Sequence, residues 1–246
     1  MNTRWLHLHL AAPLMAFGGV AIDHVGPTRT YPSASALVGL FANALGWRRE
    51  ERDAHQALQD RLVFGALSVL PGGRHVPSVV TDNQNARLFE QEPAWTTSGA
   101  PETRNKGKSY SNPAAKTQDG NQAGRKWMTH RRRRDYLAGH ESRVVLRLTG
   151  EDAPTLDDLA TALDRPARPL FIGRKPCLPT TRLFAGWVEA ETARAALVAL
   201  GLTGRGLWPE EGDTPPGAER HDLADLRNWR SGLHAGSRLV AEGVIG

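Results

Sequence analysis

Two clusters of cations and small residues in this chain have the types and spacing needed to hold a phosphate. The first is Arg29 with Ser33 and Ser35, inside PTRTYPSASALVGLFANALG at 27–46. Pro32 stops any helix before it, and Ser33 or Ser35 can cap the helix that follows by accepting a bond from an orphan N–H. Free N–H groups and the positive end of the helix dipole would then seat an anion, with Arg29 just upstream. The second cluster is Gly173-Arg174-Lys175. A glycine lets backbone come close to a ligand, an arginine offers a planar fork, and a lysine offers a point charge. A looser third set is Arg125, Lys126 and Arg131, Arg132, Arg133 and Arg134, interleaved with Trp127 and Tyr136. Cations among aromatic rings suit a single-stranded nucleic acid, although four adjacent arginines cannot all face one ligand. Each set also has a plain reading: a capped helix with a surface arginine, a turn with solvated charges, and a solvated charge run.

Other reactive residue types carry less. His7 and His9 share one strand face, a spacing that could bind a metal, but no third ligand stands at a sensible distance in sequence. A polar sheet face, without metal or other cofactor, is the expectation. Cys177 is the single cysteine. It excludes an internal disulfide and a paired-cysteine zinc site, and nothing near it would activate a thiolate. It reads as a small packing residue in a reducing, cytoplasmic setting.

The elements that must position these groups follow from periodicity. Leu6, Leu8 and Leu10 alternate with Trp5, His7 and His9, which reads as a buried first strand and not as an export signal. A Gly/Pro-rich loop is expected over 11–32. In the helix over 33–45, Ala34, Leu37, Val38, Phe41, Ala44 and Leu45 recur on one face, Gly39 allows another element to approach, and Gly46 permits a left-handed stop. A second helical piece over 53–59 leads to a strand over 62–70 that Pro71-Gly72-Gly73 closes. Order returns with a strand over 143–148 and a helix over 155–163 capped by Thr155. Beyond them lie a strand-like Leu170-Phe171-Ile172, a strand in LFAGWVEA and a helix in ETARAALVALG. Residues 203–221 read as an acidic Gly/Pro surface loop, and 222–245 fit no single element. No segment reaches the roughly 18 uncharged apolar residues that a membrane span needs.

Charge is concentrated. The chain has 31 basic and 26 acidic residues, a net +5 that points to a polyanionic partner. Ten of the basic residues and only Glu102, Asp119 and Asp135 among the acids fall in 97–140, so the rest of the chain is slightly acidic. That stretch is poor in aliphatics and rich in Gly, Ser, Asn and Thr, which fits a protruding loop or hairpin better than a second core. Strand, helix, strand, basic insertion, strand, helix, strand is the order of a ferredoxin-like α+β domain, the plan of RNA-recognition modules. No aromatic RNP1 motif is present. The expected layout is a domain over 1–190 carrying a thumb insertion at about 75–140, with a small extension over 191–246.

Three separated patches, in order, resemble one family. Ala12-Pro13-Leu14, Gly18-Gly19 and the 27–46 segment look like that family's N-terminal strand, turn and Pro-Thr-Arg helix. THRRRRDYLAGHESRVVLRL (129–148) resembles its Thr-x-Arg-x-Tyr-Leu stretch, and PLFIGRKPCLP (169–179) its Gly-Arg-Lys-Ser-Cys-Pro motif. The chain is similar to the CRISPR-associated Cas-five family, within it to the CasD subunits of type I-E Cascade, over roughly 4–190. Tyr31 stands where that family often has Phe, and Pro176 where Ser is usual. The resemblance implies a non-catalytic subunit that grips the 5′ handle of the CRISPR RNA. It also implies a ferredoxin-like body with a basic β-hairpin thumb, packed against the backbone subunit CasC and the large subunit CasA, and meeting target DNA only indirectly. Relatives in type I-C systems cut repeat RNA without metal through a Tyr/Lys/His cluster, for which Tyr31, Tyr110, Lys126 and His130 are the residues of matching type here. A stand-alone RNA-binding module is the third reading.

Overall fold

The computed structural model describes residues 2–20, 24–69, 77–88, 94–95, 101–102, 128–211 and 214–246, with backbone alone for the described positions between 85 and 131. The expected thumb lies largely outside the described residues, as do Arg125 and Lys126.

The elements run in the order β1 (Thr3–Met15), β2 (Val25–Gly26), α1 (Ala34–Leu45), α2 (Arg52–Arg61), β3 (Leu62–Val69), β4 (Ser78–Leu88), β5 (Ala94–Trp95), β6 (Pro101–Glu102), β7 (Met128–Leu148), α3 (Leu156–Asp164), β8 (Phe184–Ala190), α4 (Ala193–Ala199), β9 (Gly204–Pro209), β10 (Glu219–Leu223) and β11 (Arg238–Ile245). Two compact units account for them. The larger comprises 1–20, 27–80 and 135–246; the smaller comprises 21–26 and 81–134.

The larger unit is a mixed α/β structure on an antiparallel sheet ordered β10-β11-β9-β3-β7-β1-β8. β1 lies between β7 and β8, and its alternation lets it bury both faces. Leu6, Leu8 and Leu10 point into one core with α1, α2 and α3; Trp5, fully buried, points into a second core that α4 covers. Trp5 Nε1 donates to the Ala190 carbonyl at 3.0 Å, so the one polar atom of that ring is satisfied in the apolar layer. The strand does not stop at residue 10. Ala11, Ala12, Leu14 and Met15 stay in register with Glu141, His140, Ala138 and Leu137 of β7, and the ladder passes over Pro13, which has no N–H to give.

The 33–45 helix forms as its pattern predicts. Ala34, Leu37, Val38, Phe41 and Ala44 are buried, and Gly46 stops the helix at φ 82°. Gly39 has nothing within 4 Å of where a Cβ would stand, so close approach is not its purpose. Arg168 completes the stop: its guanidinium donates to the carbonyls of Gly46 and Trp47 at 2.6 and 2.9 Å, at the negative end of the dipole. Thr155 caps α3 in a reciprocal box with Asp158. Among the described residues no helix is long and apolar enough to cross a membrane.

Three further regions depart from the expectation: the strand expected over 143–148 already begins at Met128, as β7. Leu170–Ile172 is not a strand: Ile172 N–H bonds the Cys177 carbonyl at 2.8 Å and its own carbonyl receives Ala16 N–H, so its backbone groups close a loop instead of a ladder. Residues 203–221 are not a surface loop throughout, since β9 pairs with both β3 and β11. The glycines that read as loop composition are packing positions. A Cβ on Gly204 would fall 2.2 Å from the Ser68 carbonyl oxygen, and one on Gly206 2.6 Å from the Ile245 side chain. The 191–246 stretch therefore lengthens the sheet within the larger unit.

In the smaller unit, β2 pairs in parallel with β7 at Val25–Arg133 and Gly26–Arg134, and β5 pairs with β6. β4 pairs with β7.

Candidate nucleic-acid interface

The seat at the start of α1 exists, but the chain fills it. Ser33 is the N-cap and its Oγ accepts Ala36 N–H at 3.1 Å. Ala34 N–H donates to the carboxylate of Asp225 at 3.0 Å, and Ser35 N–H to the Asp225 carbonyl at 3.3 Å. Leu37 N–H reaches the Ser33 carbonyl. No donor in the first turn is left for a phosphate. Asp225 itself is fully buried and ion-paired with Arg238 at 3.0 Å, whose guanidinium lies 4.2 Å from the Phe64 ring centroid. The expectation that Ser33 and Ser35 present free amides to an anion is therefore corrected. Their hydroxyls lie 3.1 Å apart and hold the turn. Nothing in the sequence flagged Asp225, which sits almost 200 positions away in a stretch without periodicity.

Arg29 is close by, with one guanidinium nitrogen donating to the Ala224 carbonyl at 2.7 Å. It lines a cavity of about 270 Å³ with Thr30, Ser33, Leu207, His221 and Glu242. Tyr31, also on that wall, is buried and donates its hydroxyl to Glu242 Oε1 at 3.0 Å. Burial first, and the Glu242 charge second, raise its pKa well above the ordinary phenol value. Tyr31 is thus a locked donor and not a base. Tyr110 and Lys126, the other residues of a nuclease cluster, lie outside the described residues, and the side chain of His130 does too.

Gly173 is a packing position. Its φ is 87° and a Cβ there would fall 1.5 Å from the Ala16 carbonyl oxygen, so the close approach it permits is to the chain's own β1 end. Arg174 lies over the Tyr136 ring at 4.6 Å and donates to the Asp135 carbonyl at 3.2 Å. Lys175 is exposed. Cys177 is buried with Ala16 and Tyr136, and burial pushes its thiol pKa up, as a packing cysteine requires. Together the 170–178 loop, the end of β1 and residues 135–140 of β7 make one packed corner of the larger unit. In the smaller unit, Arg132, Arg133 and Arg134 follow one another on β7, with Arg133 the most exposed; of Arg131 only the backbone is described.

His7 and His9 lie on the sheet face that carries Trp5. Burial above all, with help from Arg143 and His9, lowers the His7 pKa to about 4. Glu141 accepts from Arg143 at 2.6 Å and lies 3.1 Å from His9 Nε2. Among the described residues no three His, Cys, Asp or Glu side chains are grouped to hold a metal ion.

The family model described as "CRISPR-associated protein (Cas_Cas5)" matches residues 5–241. The chain belongs to the CRISPR-associated Cas5 family. It is 25% identical over 210 residues to the CRISPR system Cascade subunit CasD of Escherichia coli (strain K12), covering 85% of this chain and 83% of that one. Its fold is similar to a chain of a solved "CRISPR RNA-guided surveillance complex", with a TM-score of 0.59, 20% identity and coverage of 98% and 89%. A "Crystal structure of Cas protein" matches with a TM-score of 0.56, 22% identity and coverage of 98% and 94%. The match includes β9, β10 and the first four residues of β11, ending one position before Glu242.

Proposed function

We propose that this Cas5-family protein is the CasD-type subunit of a type I-E Cascade, binding and capping the 5′ handle of the CRISPR RNA without cleaving it, in antiviral defence. The observation that carries the reading is the similarity to the Escherichia coli Cascade subunit along 85% of the chain. The strand order β8-β1-β7-β3, with α1 and α2 before β3 and α3 before β8, supports a ferredoxin-like core in that role. Arg29 at the cavity mouth, Lys175 on the 172–177 loop and the Arg131–Arg134 run supply cations for handle phosphates. Arg174 acts by holding Tyr136 and β7 in place. Ser33, Ser35 and Gly173 hold the backbone that carries Arg29 and Lys175, and Arg125 and Lys126 are further cations of the insertion, which meets the CasC and CasA subunits. Target DNA is met only through the assembled complex.

The test is co-expression of the full chain with the backbone and large subunits and a repeat-spacer transcript. The protein should copurify with processed CRISPR RNA, and a chain lacking 100–135 should stay folded yet fail to assemble. Specific cutting of repeat RNA by the purified chain in EDTA would overturn the non-catalytic reading. Isolation of the full chain from these cells without RNA would overturn the handle reading.

A further inference from the structure

The cavity beside Arg29 has two kinds of wall. Leu207, Leu223 and Pro32 give apolar surface, and Glu242 gives a carboxylate. Glu242 Oε1 already accepts from the Tyr31 hydroxyl at 3.0 Å and from Arg205 Nε at 3.2 Å. Two donors on one oxygen fix the rotamer and leave acceptor capacity on Oε2. A phosphate does not fit this arrangement, because it would meet a fixed negative charge inside the cavity. A flat, apolar-faced group with an N–H donor on its edge does.

That description is a nucleobase. About 270 Å³ is enough for a purine or a pyrimidine ring with room for a water. Adenine and cytosine carry exocyclic amino groups, and guanine carries adjacent N1–H and N2–H donors. Uracil offers only N3–H, flanked by two carbonyl oxygens that a carboxylate repels. Arg29, on the same cavity, is placed for the phosphate of that nucleotide while the base enters. Single-stranded RNA is read in this manner, with bases splayed into pockets and bonded along their edges.

We propose that this cavity holds one base of the bound RNA and selects an amino-bearing base over uracil, with Glu242 as the acceptor. The inference rests on the RNA-handle reading above and adds the residue and the chemical rule of selection. Glu242 lies on β11 and His221 on β10, so the selecting wall comes from strands that the sequence pattern did not reveal.

The experiment uses the full chain and short RNAs carrying the repeat-derived 5′ end, each position varied through the four bases, with affinity read by fluorescence anisotropy. At one position the amino-bearing bases should bind roughly tenfold tighter than uracil, the worth of one charge-assisted hydrogen bond. Glu242→Gln, whose amide can donate to a uracil carbonyl, should abolish or reverse that preference at that position alone. Leu223→Trp, which narrows the cavity from the β10 side, should also erase the preference while salt-dependent binding persists. Equal affinity for all four bases at every position, or a preference that survives both variants, overturns the pocket and leaves the handle reading intact. Binding of repeat RNA no tighter than an unrelated RNA of equal length overturns both.

Discussion

Replacing Asp225 with alanine attacks the contact that joins the C-terminal strands to the start of α1. The carboxylate is fully buried, accepts Ala34 N–H at 3.0 Å and pairs with Arg238, whose side chain is only 19% exposed. Removing one partner of such a pair leaves a buried charge uncompensated, which costs about 3–5 kcal/mol. Leaving the buried Ala34 N–H without its acceptor adds about 1 kcal/mol. Arg238 can recover some hydration, so the two do not sum, and about 4 kcal/mol is the expected loss. Asp225→Asn keeps an oxygen for Ala34 and loses only the charge, so its loss should fall near half of that. Asp225→Leu with Arg238→Met removes both charges together and should recover most of the deficit. Urea denaturation followed by far-ultraviolet circular dichroism measures all three. A midpoint for Asp225→Ala within about 1 kcal/mol of the parent would refute the claim that this carboxylate fills the helix seat.

Two glycines predicted to allow close approach separate cleanly. Gly173→Ala should cost more than about 3 kcal/mol or prevent folding, because its Cβ would overlap the Ala16 carbonyl at a positive φ, whereas Gly39→Ala should raise stability by about 0.5–1 kcal/mol. Equal thermal midpoints for the two variants would contradict this. Stability should also fall on acidification. Burial holds the His140 and His7 imidazoles at about 4 against 6.5 unfolded, so between those values the unfolded chain binds more protons and folding weakens as pH drops. Above pH 7 these two groups add no slope. His140 carries the larger share, up to about 3 kcal/mol, and His7, which is partly solvated, less. The urea midpoint at pH 5 against pH 7.5 reads the effect, and His140→Phe should flatten it; a midpoint independent of pH would refute it.

Much of the body was legible in one dimension. Period-two alternation in WLHLHL and the 3.6-residue spacing from Ala34 to Ala44 each encode which face meets the core, because side-chain direction follows directly from backbone period. Caps are equally local: Ser33, Thr155 and Gly46 act on groups within four residues of themselves. The Cas5 family was legible too, since it is carried by short ordered motifs. What was not legible depends on residues far apart. Gly204 and Gly206 look like loop until β3 and β11 lie against them, and Gly173 looks like a ligand approach until Ala16 is found there.

The amino-acid sequence by itself determined which stripes β1, α1 and α3 bury, where those two helices are capped, and where positive charge is gathered. Only the folded chain decided what occupies the helix start, because an N–H donor is satisfied by whatever acceptor arrives first in space, and here that is Asp225. It likewise turned Tyr31 from a possible base into a locked donor by bringing Glu242 to it across 211 residues. Hydrogen-bond capacity is written in residue type; the partner that uses it is set by packing between segments whose separation no local pattern records.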